Sequence, residues 1–145
     1  MSIEMNIPFL FHPRDGLYCS GQPDAEGLQQ AIDAGVRTVI NLRPDAEMDW
    51  DEGAWLDEQG VEYLKLPVAG GGDLNPQNAR KLGHWLEQRS EPVLLHCGSS
   101  NRVGALLALH AVLEGAGEDE ALKLGRDAGL TKLEPVVTEL IRSWG

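Results

Sequence analysis

The chain has 145 residues, 42% hydrophobic and 24% charged, a balance unlike that of a disordered chain and suited to one domain spanning residues 1–145 with a core of its own. Twelve Lys and Arg against 23 Asp and Glu give a net charge of −11, which excludes a broadly nucleic-acid-binding or membrane-seeking surface. No apolar run is long enough to span a bilayer and MSIEMNIPF lacks a basic and apolar leader pattern, so the expected location is cytoplasmic.

Glycines and prolines punctuate the chain at intervals that suit alternating strands and helices. A short strand is predicted at Leu17–Cys19, followed by the turn Ser20-Gly21-Gln22-Pro23 and a helix capped by Asp24 and stopped by Gly35. Val36–Leu42 is rich in β-branched residues and reads as a buried strand. The acidic stretch Asp45–Glu58 reads as a solvated helix with one apolar edge, its carboxylates Asp45, Glu47, Asp49, Asp51 and Glu52 facing water. Val61–Leu66 is the next predicted strand, and Pro67–Leu74 a loop in which three successive glycines permit movement or a close approach to a ligand. Asn75-Pro76 marks a cap and first helical position, and Ala79, Leu82, Trp85 and Leu86 form the apolar face of the helix that follows. Pro92–Leu95 fits a central strand ending at His96-Cys97, Arg102–Glu114 a core helix that is apolar nearly all round, and two helices near 118–128 and 134–144 complete the chain. This alternation predicts an α/β fold with a mostly parallel sheet of four to five strands and helices on both faces.

The segment His96-Cys97-Gly98-Ser99-Ser100-Asn101-Arg102 lies between the carboxyl end of a strand and the amino end of a helix, where α/β proteins place ligands. Small residues let successive backbone N–H groups turn inward as an anion-binding nest. The helix dipole and Arg102 both favour Cys97 as a thiolate, a nucleophile suited to a tetrahedral centre. The planar fork of Arg102 offers two parallel hydrogen bonds to phosphate-like oxygens, a geometry that lysine lacks. The alternatives at this point are an inert core cysteine and a first-turn arginine exposed to solvent.

Leu17-Tyr18-Cys19-Ser20-Gly21-Gln22-Pro23, Gly35–Arg43, Tyr63–Val68 and His96–Arg102 occur in this order, and over about residues 14–135 the chain resembles the bacterial dual-specificity, protein-tyrosine-phosphatase-like domains, including those fused to β-lactamase-fold hydrolases. The resemblance implies a cysteine-phosphatase fold, Cys97 as nucleophile, Arg102 as phosphate clamp, a cysteinyl-phosphate intermediate, and neither metal nor cofactor. His96, Gly98, Ser99, Ser100, Asn101 and Arg102 would form the substrate-binding loop, with His96 holding it or simply satisfied by backbone. The general acid that the family takes from a mobile loop would be Asp73, the nearest carboxylate. The substrate would be a phosphorylated protein or a small phosphate ester; oligomeric state is not legible.

The chain departs from the family at three points. Four residues, not five, separate Cys97 from Arg102; Val103 replaces the usual Ser or Thr after the arginine; and Gly70 stands near the acid's expected position. A six-residue loop also resembles that of rhodanese-type sulfurtransferases, where Cys97 would carry a persulfide, and a noncatalytic oxyanion-binding module is the further alternative. Cys19 reads as a core side chain or as a partner for a reversible disulfide with Cys97. His12, His84 and His110 show no metal-site spacing, and local positive potential from Arg102, with Arg14, Arg43 and Arg80, would have to overcome the net charge.

Overall fold

The computed structural model describes residues 5–144. Strands β1 (Phe11–Arg14), β2 (Leu17–Ser20), β3 (Thr38–Asn41), β4 (Glu62–Lys65) and β5 (Val93–His96) form one sheet in the order β1-β2-β5-β3-β4. All neighbours are parallel except β1 and β2, which pair antiparallel. The helices are α1 (Ala25–Asp33), α2 (Glu52–Glu58), α3 (Pro76–Glu87), α4 (Asn101–Leu113), α5 (Glu118–Asp127) and α6 (Glu134–Trp144). Among the described residues, no helix is long and apolar enough to cross a membrane.

The helix starts follow from local chemistry. Asp24 Oδ1 accepts from the N–H of Gly27, Asp51 Oδ1 from Ala54 and Asn75 Oδ1 from Asn78, and Pro76 occupies the first position of α3, where its missing N–H costs nothing. The acidic stretch is not one helix: a single 3-10 turn at Asp45–Glu47 precedes α2.

Alternation along the strands sends successive side chains into two cores. Val39 and Leu94 pack with Leu28, Ala31 and Leu56 of α1 and α2, whereas Ile40, Val93 and Leu95 pack with the apolar residues of α3 to α6. α4 is buried from Val103 to Leu109, as expected for a helix that is apolar nearly all round. It crosses α5 so closely that a Cβ on Gly104 would lie 2.5 Å from Gly125 O and 2.4 Å from Leu130 N, so glycine is what allows the two backbones to meet.

β5 lies between β2 and β3, with His96 opposite both Ser20 and Asn41. The three carboxyl ends are therefore level, and the loop after β5 emerges between the loops that follow its two neighbours.

Candidate active site

Beyond His96 the chain turns through Cys97-Gly98-Ser99-Ser100 into α4. Cys97 is fully buried and its N–H donates to Ser20 O at 3.1 Å, while Gly98 and Ser99 are exposed. Ser100 has the left-handed φ of 66° and does not cap the helix; its buried hydroxyl donates to Ala128 O at 2.6 Å. Asn101 Oδ1 accepts from the N–H of Thr131 at 2.9 Å and of Leu133 at 3.3 Å. Both side chains thus tie the loop to the segment between α5 and α6, and neither is left to reach an anion. The main chain remains: Ser99 is bridged antiparallel to Gly21, but among the described residues no backbone carbonyl accepts from the N–H groups of Gly98, Asn101 or Arg102. Together with the positive end of α4, these donors suit an oxyanion.

Arg102 leans back across this loop, for a Cβ on Gly98 would lie 3.2 Å from its Nη2. Nη1 donates to Val68 O at 2.8 Å and to Glu47 Oε2 at 3.0 Å, and Nη2 donates to Glu47 Oε1 at 2.9 Å. The Glu47 carboxylate therefore fills the guanidinium fork. The hydrogen bond to Glu47 is the main cause that raises the Arg102 pKa against the opposing effect of burial, and the neighbouring Cys97 acts in the same direction. The Glu47 carboxyl is held below the usual range, chiefly by Arg102 and further by Arg43. Arg43 also donates to the Glu47 carbonyl at 2.6 Å.

Behind the loop, His96 Nε2 and Glu52 Oε2 are 2.6 Å apart with both side chains fully buried. Gln22 Nε2 donates to Glu52 Oε1 at 2.7 Å, and Gln22 Oε1 accepts from Arg43 Nη1 at 2.8 Å. A continuous chain of contacts thus runs His96, Glu52, Gln22, Arg43, Glu47, Arg102. The expectation of a uniformly solvated acidic face is corrected here: Asp45, Asp49 and Asp51 are exposed, but Glu52 is buried and Glu47 turns to the arginines. The signal for Glu52 was its spacing to Leu56, one turn on and also buried in α2. Glu47 had no such signal, because its role comes from a contact 55 positions away.

The loop between β4 and α3 reaches the same place, since Val68 O bonds Arg102. Asp73, in the turn Gly71–Asp73, directs Oδ2 to the N–H of Ala69 at 2.8 Å, so its carboxylate is engaged within its own loop. Val103 is fully buried. Cys19 is also fully buried, in the same core as Cys97, and burial pushes its thiol well above the ordinary range. Of the arginines expected to supply positive potential, Arg43 joins the site; Arg14 and Arg80 line cavities beside α3 and α4 instead.

Comparison with known proteins places this geometry in a family. A beta-lactamase hydrolase-like protein of Xylella fastidiosa is 31% identical over 119 residues, covering 78% of this chain but 27% of that protein, so the chain spans about a quarter of its relative's length. The nma1982 protein of Neisseria meningitidis Z2491 superposes with a TM-score of 0.77 at 26% identity over 92% of this chain and 96% of that one. TpbA of P. aeruginosa, solved in complex with pTyr, shares the fold, with a TM-score of 0.68 at 23% identity over 98% of this chain and 87% of its own. The family model of the beta-lactamase hydrolase-like protein, phosphatase-like domain, matches residues 13–114, and the chain belongs to that family, as its four motifs led one to expect.

Proposed function

We propose that the chain is a cysteine-dependent phosphatase acting on phosphate monoesters, with phosphorylated proteins, and phosphotyrosine first among them, as the substrate class. The observation that carries this reading is the Arg102 guanidinium folded back over the Cys97 loop beside main-chain donors that have no backbone acceptor. In the proposed reaction the Cys97 thiolate attacks phosphorus, the P–O bond to the leaving group breaks, and the loop N–H groups and Arg102 hold the equatorial oxygens. Water then hydrolyses the cysteinyl-phosphate. For Arg102 to take the substrate's oxygens, Glu47 must leave its fork. For Asp73 to protonate the leaving oxygen and later accept a proton from water, it must release Ala69, a movement that Gly70-Gly71-Gly72 can accommodate.

TpbA, a protein of the same fold bound to pTyr, supports the choice of substrate class. Both cysteines are free thiols, and we place the protein in a reducing compartment, the cytoplasm. A second reading, oxyanion binding without turnover, is favoured by the carboxylate already in the Arg102 fork and by Val103, which offers the leaving thiolate no hydroxyl. Steady-state hydrolysis of an aryl phosphate by the native protein and by Cys97→Ser separates the two: the proposal requires turnover that the substitution abolishes.

A further inference from the structure

We propose that the chain has a divalent-cation site, separate from the Cys97 loop, formed by Glu87, His110 and Glu114. The sequence separates these residues, but the fold joins them. α3 leads into β5 and α4 runs back from it, so both helices end at the edge of the sheet opposite Cys97, with Glu87 the last residue of α3 and Glu114 the residue after α4. Each helix brings the negative end of its dipole to that edge, where a cation is favoured.

One nitrogen or oxygen donor from each of the three residues lies within 4.8 Å of the other two. His110 Nε2 is 3.6 Å from Glu114 Oε1, close to the ~3.4 Å between ligands that tetrahedral bonds of ~2.1 Å require. The two carboxylates are exposed and need only rotate, whereas the imidazole is held in place. A Cβ on Gly83 would lie 2.0 Å from His110 Cε1, so the ring lies directly on the α3 backbone and a glycine makes room for it. Its Nδ1 is buried with no hydrogen-bond partner among the described residues, and Nε2 lies beyond hydrogen-bond distance of Glu114. An imidazole seated against the α3 backbone, without a hydrogen-bond partner among the described residues and with two carboxylates beside it, is a ligand set for a zinc-class ion.

The surrounding groups favour the ion on balance. His84 lines the same cavity of about 250 Å³ one turn before Glu87, but it lies outside the group of three donors. Arg80 lines that cavity as well, and Arg14 lines the adjoining one with His110 and Glu87; both oppose a cation. Arg80 and Arg14 are both exposed and their stems are long enough to turn away, leaving two carboxylates and two helix ends. The ion would staple α3 to α4, the helix that carries the Arg102 loop at its other end. This inference does not depend on the proposed phosphatase activity.

Calorimetric titration of the full chain with Co2+ tests it. The expected result is one bound ion per chain, with Glu87→Gln and Glu114→Gln each weakening binding by about tenfold, equivalent to ~1.4 kcal/mol, and Cys97→Ser leaving it unchanged. Both glutamates are exposed, so neither substitution threatens the fold. Failure to bind, binding indifferent to both glutamate substitutions, or binding lost in Cys97→Ser would overturn the site.

Discussion

Glu47 grips Arg102 by two parallel hydrogen bonds, Oε1 to Nη2 at 2.9 Å and Oε2 to Nη1 at 3.0 Å, the arrangement by which a guanidinium holds an oxyanion. An incoming phosphate and Glu47 therefore compete for the same donors. Glu47→Gln keeps the shape and removes the charge, and vanadate should then bind about three- to tenfold tighter, as expected for loss of a competing ion pair worth roughly 1 kcal/mol. A vanadate inhibition curve on both proteins checks this. Weaker vanadate binding would instead make Glu47 a residue that holds Arg102 in its working position.

The same contact makes stability depend on acid. The Glu47 carboxyl is lowered in the folded state, first by its hydrogen bond with Arg102, so its contribution is present above the unfolded-state value of about 4.3 and is lost as pH falls through the lower folded value. Glu62, lowered chiefly by Arg89, carries the same sign. Thermal melts from pH 7 downward should show a Tm that begins to fall near pH 5, with a shallower fall in Glu47→Gln. Parallel curves for the two proteins would contradict the assignment.

Behind the loop, the contact of His96 with Glu52 lies in full burial, and removing one partner strands the other. Glu52→Ala should cost about 2–4 kcal/mol in urea unfolding, while Glu52→Gln, which retains an acceptor for Gln22, should cost less. Equal losses in both variants would mean that the charge of the carboxylate, which glutamine lacks, matters and that the retained volume and acceptor do not.

The crossing of α4 and α5 depends on Gly104. A Cβ there meets backbone atoms at 2.4 and 2.5 Å, which cannot rotate out of the way. Gly104→Ala should destabilise the fold by about 3 kcal/mol, whereas alanine is ordinarily the better helix former. A neutral or stabilising effect in thermal denaturation would show that the two helices can separate without cost.

These cases also mark how far the sequence could be read. Strand and helix order, the Asp24 and Asn75 caps and the loop from Cys97 to Arg102 were legible because each rests on chemistry within a few residues of itself. β1 was not, since it is a short edge strand containing Pro13 and paired antiparallel to its neighbour. Glu47 and Glu52 were hidden in a run of charges whose composition argues for solvent; only the packing of α2 under the sheet and the approach of two arginines reveal them. Ser100 and Asn101 belong to the loop as expected, but their side chains brace it against the segment before α6, a pairing 28 or more positions distant. The contact of Gly83 with His110 is likewise tertiary.

The most direct test of the account is steady-state hydrolysis of a small aryl phosphate from pH 5 to 8 by the native chain and by Cys97→Ser, with and without vanadate. The account predicts turnover by the native protein, competitive inhibition by vanadate and no turnover in Cys97→Ser. Equal rates in the two proteins, or vanadate binding to a native chain that turns over nothing, would contradict it.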